Sequence, residues 1–181
     1  MKVIELCGKA GIGKDTFGNE LIKQLENDGK KCLHIAFADY VKFVCQKYFG
    51  WDGQKDEKGR EILQRVGTDV FRKSNPDFWV DIVINFLTVC KENSLFDFVI
   101  ITDARFPNEI AKLQKFLQDD KENYVKAFRI KRNNFTSKLS EEAQSHASEI
   151  ALDNFYMEEI ILSGDLEKLP LEVKEFINTC L

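Results

Sequence analysis

The residues best suited to chemistry lie near the start of the chain, in "GKAGIGKDT", Gly8 to Thr16. Gly8, Gly13 and Lys14 complete the spacing G-x-x-x-x-G-K, with the apolar run "KVIEL" before it and the helix-like "FGNELIKQL" after it. Such a loop is built for phosphate. Its glycines let backbone N–H groups turn inward around phosphate oxygens, the following helix adds its positive end, and the lysine brings a compact charge to the β- and γ-phosphates of a nucleotide. Ala10, Gly11 and Ile12 complete the cradle. The glycines read G-x-x-G-x-G, which disfavours a dinucleotide fingerprint. Asp15 stands where a hydroxyl residue usually meets magnesium, and Thr16 follows it. In one reading Thr16 serves the α-phosphate while Asp15 holds Mg2+ directly or through water. In the other, Asp15 only favours the first helical turn through the dipole. Whether Asp15 or Thr16 meets the metal stays open.

A second group lies in "FDFVIITDARFPNEI", a nearly continuous apolar strand ending at Asp103, with Arg105 two residues on. Ligands of an open parallel sheet collect at the carboxyl ends of its strands, so both residues are expected to face the crevice of Lys14. Asp103 would then serve the magnesium side and Arg105 would clamp a phosphate. The plainer readings are a solvated turn residue and a surface ion pair.

The elements that must position these groups alternate between short apolar runs and segments of helical period, which predicts an α/β protein with a mainly parallel five-stranded sheet flanked by helices in three layers. The strand candidates are "KVIEL", "CLHIAF", "FDFVIIT", "VKAFRI" and "MEEIIL". Phe17, Leu21 and Leu25 share one helical face, closed by Gly29, and after Pro76 a stripe of Trp79, Ile82, Val83, Phe86, Leu87 and Cys90 follows helical spacing. The polar, turn-rich "YFGWDGQKDEKG" and the segment from Asn133 to Ser148 interrupt the alternation, which suits a flap, about residues 38–75, and a lid, about residues 132–148.

At 181 residues the chain suits one domain with a sizeable core. A net charge of -4 argues against a nucleic-acid-binding face. The five cysteines lack C-x-x-C spacing and fall in apolar segments, so they read as small core residues of a reduced compartment. There is no signal-peptide pattern and no apolar run long enough to span a membrane, so a cytoplasmic protein is expected. A homodimer is compatible with the sequence.

Taken in order, "GKAGIGKDT", "FADYVK", "ILQRVGTDVFR" with "PDFWV", "DARFPNE" and "SHASEIALDNF" resemble the successive motifs of bacteriophage-type deoxynucleoside monophosphate kinases, over Gly8 to about Phe155. The resemblance implies a nucleoside-monophosphate-kinase-like phosphate-loop fold that moves the γ-phosphoryl of ATP, with Mg2+, onto a deoxynucleoside monophosphate to give the deoxynucleoside diphosphate and ADP. It places Asp39, Lys42, Arg65, Thr68, Asp69 and Arg72 near the acceptor. Gln64, Arg65, Thr68 and Arg72 would share the polar face of a helix whose apolar side is Ile62, Leu63, Val66 and Val70. Trp79 or Phe78 would stack on a base, although core packing suits either ring. Alternation along "FRIKR" separates Arg132 from Arg129 and Lys131, and Arg132 is the choice for the donor's adenine or phosphates. His146, Ser148 and Glu149 match the family's "HxSE", with Glu149 set on the substrate side and His146 either orienting Glu149 or a phosphate or serving as an ordinary hydrogen-bonded loop histidine. The lid is poorer in arginine than in many monophosphate kinases. The animal-type phosphomevalonate kinases share the GKD loop and an ending similar to "SEIALDNF", and form the alternative. A non-catalytic nucleotide-binding protein with the same loop is the third reading.

Overall fold

The computed structural model describes residues 1–118 and 122–181. Five strands, β1 (Lys2–Cys7), β2 (Cys32–Ile35), β3 (Phe98–Ala104), β4 (Tyr124–Arg132) and β5 (Glu158–Leu162), form one sheet in the order β2-β3-β1-β4-β5. All four neighbouring pairs are parallel. Each expected strand is present. β1 and β3 are adjacent, but the chain leaves them for opposite edges, towards β2 and β4, so a crevice opens at their carboxyl ends.

Alternation along β1 divides the core. Ile4 and Leu6 face one layer with Phe17, Leu21 and Phe176, whereas Val3 and Cys7 face the other with Val83, Ile110 and Leu113. The first layer is built by α1 (Lys14–Asn27) and α8 (Leu169–Cys180), the second by α2 (Phe37–Tyr48), α4 (Phe78–Glu92) and α5 (Pro107–Leu117). Gly29, at φ 75°, ends α1 as expected, its N–H bonding Glu26 O at 2.9 Å while Lys30 N reaches Leu25 O at 3.0 Å. On α4 the buried stripe is Trp79, Val80, Val83, Leu87 and Cys90. Phe86, expected in it, is 41% exposed because it lies past the edge of that face.

The flap region holds α3 (Glu57–Gln64), which runs directly into a π-helical segment, Arg65–Arg72. Wider winding changes which residues align, so the α-spaced face expected here is broken: Val66 and Gly67 are buried and Val70 is 43% exposed. Gly67 sits where an added Cβ would meet Val41 at 3.1 Å. The lid region carries two short helices, α6 (Glu141–Ser145) and α7 (Ala147–Ile150). Among the described residues no helix is long and apolar enough to cross a membrane. All five cysteines carry free thiols, and Cys7, Cys45 and Cys90 are buried as expected of core residues.

Candidate active site

The crevice at the carboxyl ends of β1, β3 and β4 is a cavity of about 520 Å³ whose walls include Gly8, Lys9, Arg105, Arg132 and Glu149. β1 ends where Gly8 adopts φ 138°, a value open to glycine, and an added Cβ would lie 2.7 Å from the carbonyl oxygen of Ile130. Only a glycine lets the loop pass that close to β4. Gly13 then stands as the N-cap of α1, so the first free N–H groups of the helix point at the crevice.

Lys14 is 7% exposed, and its Nζ donates to Gly8 O at 2.9 Å and Lys9 O at 3.0 Å. Burial and the nearby Arg105 guanidinium lower its pKa to about 8. Arg105 arrives from the turn after β3 and donates from Nη1 to the same Gly8 carbonyl at 3.2 Å. Two cations are thus held on one carbonyl oxygen. Their nearest counter-charge is Glu149, whose Oε1 accepts from Arg105 at 2.8 Å and whose Oε2 accepts from Ala10 N at 3.0 Å. A carboxylate therefore bridges a loop N–H and an arginine, the pair of donors a phosphate would use.

The base of the lid is fastened to this loop. Lys9 Nζ donates to Glu149 O at 2.7 Å and to Asp153 at 2.6 Å, while Arg129 donates to the carbonyls of Leu152 and Phe155 at 2.5 and 2.8 Å. His146 is the N-cap of α7: its Nδ1 accepts from Ser148 N at 3.2 Å and bonds Ser148 Oγ at 2.8 Å. It is a capping histidine that sets the start of the helix carrying Glu149. Arg132 lines the cavity and lies 5.0 Å from the Phe135 ring centroid; Arg129 and Lys131 also contribute to its walls, against the separation that alternation alone suggested, although the Lys131 ammonium pairs with Glu159 of β5 at 2.7 Å.

Asp103 departs from its expected place. Phe98 and Ile100 face α1, so period two sends Thr102 to that face and Asp103 to the opposite one. There Asp103 accepts from Phe37 N at 2.9 Å and Ala38 N at 2.8 Å, satisfying the free N–H groups of α2, and burial raises its pKa. Its carboxylate caps a helix rather than facing the metal side. Thr102, which the sequence reading passed over, donates to Asp15 Oδ1 at 2.5 Å, and His34 Nε2 lies 3.0 Å from the same hydroxyl. The available signal was a polar residue inside an apolar strand, on the side of the sheet that α1 covers.

Several acceptor-side expectations resolve into internal contacts. Trp79 is 1% exposed, donates from Nε1 to Gly67 O at 2.9 Å, and packs against Phe71 and Phe78, so its ring is closed to a base. Arg72 meets the buried Glu109 at 2.5 Å and lies 4.0 Å from the Phe106 ring centroid, pinning the π-helical segment to α5. Glu109 in turn accepts from the N–H groups of Arg105 and Phe106, which holds the turn that presents Arg105. Asp39 accepts from Ala36 N at 3.1 Å and pairs with Lys42 at 2.8 Å. Arg65 and Asp69 are exposed and Thr68 half-buried, and none of the three contributes to the walls of the crevice.

For magnesium, Asp15 and Thr16 are both exposed hard oxygen donors at the start of α1. The bond from Thr102 engages Oδ1 alone of the Asp15 carboxylate, which retains acceptor capacity for a cation or its water. The donor set therefore fits a divalent ion carried on nucleotide phosphates.

No known family's sequence profile matches the chain, and no curated protein matches it. Solved structures do. The APS kinase CysC of Mycobacterium tuberculosis, solved in complex with AMPPNP and APS, is 13% identical over 98% of this chain and 98% of its own, with a TM-score of 0.50. A crystal structure of a protein designated APE1195 is 10% identical over 98% of this chain and 95% of its own, also with a TM-score of 0.50. At such identities the likeness is one of fold. The parallel five-stranded sheet with helices on both faces, opened by the loop from Gly8 to Lys14, is a phosphate-loop kinase fold.

Proposed function

We propose that this protein is a kinase that moves the γ-phosphoryl of ATP onto a deoxynucleoside monophosphate, giving ADP and the deoxynucleoside diphosphate. The observation that carries the reading is the pair Lys14 and Arg105, one from the loop and one from the end of β3, both held on the carbonyl oxygen of Gly8, a residue of the crevice wall. A buried and a half-buried cation at 2.9 and 3.2 Å from one oxygen suit an anion larger than a single carboxylate. A phosphoryl group in transfer spreads charge over its equatorial oxygens and suits such a pair.

The acceptor's own chemistry supplies the nucleophile. A phosphate monoester has a second pKa near about 6, so at neutral pH it already offers an anionic oxygen and needs no general base. Lys14 neutralises the donor phosphates, Arg105 holds the moving group against the acceptor, and Arg132 at the rim meets the donor. Closure of the lid and flap excludes water and so limits wasteful hydrolysis. Magnesium brought with the nucleotide would be held by Asp15, with Thr16 beside it, and would supply charge neutralisation to the phosphates.

One observation favours a second reading. Because Trp79 is sealed in the core, the acceptor side offers no stacking tryptophan, which suits a base-free phosphate acceptor such as phosphomevalonate. The test is ADP formation from ATP and magnesium with each deoxy- and ribonucleoside monophosphate, with phosphomevalonate, and with no acceptor. Turnover with deoxynucleotides and appearance of their diphosphates is expected. Turnover with phosphomevalonate alone would replace the reading, and turnover with no acceptor would leave a nucleotide-binding protein.

A further inference from the structure

In phosphate loops the residue after the lysine is a hydroxyl and a nearby strand supplies a carboxylate, and together they hold the metal side of the nucleotide. Here both chemical groups are present but on opposite partners. The carboxylate is Asp15 on α1, the hydroxyl is Thr102 near the end of β3, and the two are joined at 2.5 Å. The neighbouring strand carboxylate, Asp103, is on the far face and committed to the N–H groups of α2.

Proton counting fixes the direction of the chain behind this pair. Thr102 has one hydroxyl proton, which goes to Asp15, so its oxygen accepts from His34 Nε2–H at 3.0 Å. His34 thereby sets the hydroxyl rotor, and the rotor sets the carboxylate. The approach of α1 to β3 that permits this depends on Gly18, where an added Cβ would fall 2.7 Å from Thr102 Cγ2.

We propose that the metal-side pair is exchanged in this protein: Asp15 is the carboxylate that meets the nucleotide's divalent cation, and Thr102 is a positioning residue that aims it, with His34 behind. This rests on the kinase reading only in requiring that the loop take a metal–nucleotide complex. Partners behind a metal ligand typically contribute about 10–100-fold in metal affinity, so Thr102 has a measurable share.

The experiment is ADP binding to the full chain by calorimetry, with and without Mg2+, with Mn2+ binding to the ADP complex followed by electron paramagnetic resonance and folding checked by thermal melting. The wild type is expected to bind ADP more tightly with Mg2+. Asp15→Asn should lose that increment while keeping metal-free ADP affinity, Thr102→Val should reduce the increment about tenfold, and Thr102→Ser should restore it. A full increment in Asp15→Asn, or one in Thr102→Val equal to the wild type, overturns the exchange while leaving the kinase reading standing. Failure of the wild type to bind ADP at all overturns both. Should Thr102→Val fail to fold, the same comparison is made with His34→Gln, for which a smaller loss is expected and no loss counts against the chain.

Discussion

Lys14 is the group whose perturbation tests the site most directly, because its own environment opposes its charge. Its pKa stands at about 8 against an ordinary 10.5, lowered first by burial and then by Arg105. That difference corresponds to about 3 kcal/mol by which the folded, ligand-free protein disfavours the ammonium. The folded value is depressed, so the unfolded chain holds the proton between about pH 8 and 10.5 while the folded one has released it. Stability from this group is present above that window and lost as pH falls through 8. Lys14→Met should therefore be more stable than the wild type at pH 7, by up to about 3 kcal/mol less the bonds to Gly8 and Lys9, with the advantage shrinking towards pH 10.5. Binding of ADP supplies the anion and returns the proton. With a free value of about 8, calorimetry in buffers of different ionisation enthalpy should show uptake of about a tenth of a proton per site at pH 7, about half at pH 8 and about nine-tenths at pH 9. Uptake that stays flat across this range, or a Lys14→Met variant less stable than the wild type at every pH, would refute the reasoning.

Three further perturbations separate binding from architecture. Glu149→Gln removes the carboxylate that competes for Ala10 N and Arg105, and ADP affinity by calorimetry should rise at least about fivefold; weaker binding would make Glu149 a support of the loop instead. Trp79→Phe keeps a ring but leaves the buried Gly67 carbonyl without its donor, so urea unfolding should show a loss of about 1–2 kcal/mol while the KM for the acceptor is unchanged, and a raised KM at full stability would return Trp79 to the substrate. Glu5 in β1 is fully buried with neither carboxylate oxygen hydrogen-bonded, and burial followed by Glu109 and Asp103 raises its pKa well above the ordinary value; the folded state thus keeps a proton the unfolded state gives up, and stability falls as pH rises through that window. Relative to Glu5→Gln, the wild type should lose about 1.4 kcal/mol per pH unit above about pH 4.5 in urea unfolding, and parallel pH curves for the two proteins would count against a neutral Glu5.

The sheet was legible because its signals are local. Each strand carries a short run of apolar residues, nearly continuous in the central β1 and β3, which are buried on both faces, and such runs need no long-range information to be seen. The loop from Gly8 to Thr16 was equally plain, since strand, glycines, lysine and helix lie in one stretch of chain. The flap was less so. Helical spacing over Arg65–Arg72 assumed α-winding, and the π-helical winding observed is set by packing of Gly67 on Val41 and by the reach of Arg72 to Glu109, neither of which is adjacent in sequence. The acceptor-side expectations rested on polar side chains and on one aromatic, Trp79, and Arg72 shows that a charged residue beside an aromatic and a buried carboxylate can be spent on holding two elements together.

The metal side shows what a one-residue difference does at the end of a strand. Asp103 and Thr102 are neighbours, both polar, both at the carboxyl end of β3, and a reading by position assigns the carboxylate to the crevice. Period two decides otherwise: Thr102 continues the face of Phe98 and Ile100 towards α1, and Asp103 continues that of Val99 and Ile101 towards α2. Once the strand hydroxyl faces α1, a loop with its usual hydroxyl would offer the metal side no carboxylate from either of these two positions. Asp15 supplies the missing charge from a place where it bonds Thr102 and still reaches solvent. The departure in the loop and the departure in the strand are thus one arrangement, and a change at Asp15 alone to the common hydroxyl should impair metal-dependent nucleotide binding unless Thr102 is changed to a carboxylate with it.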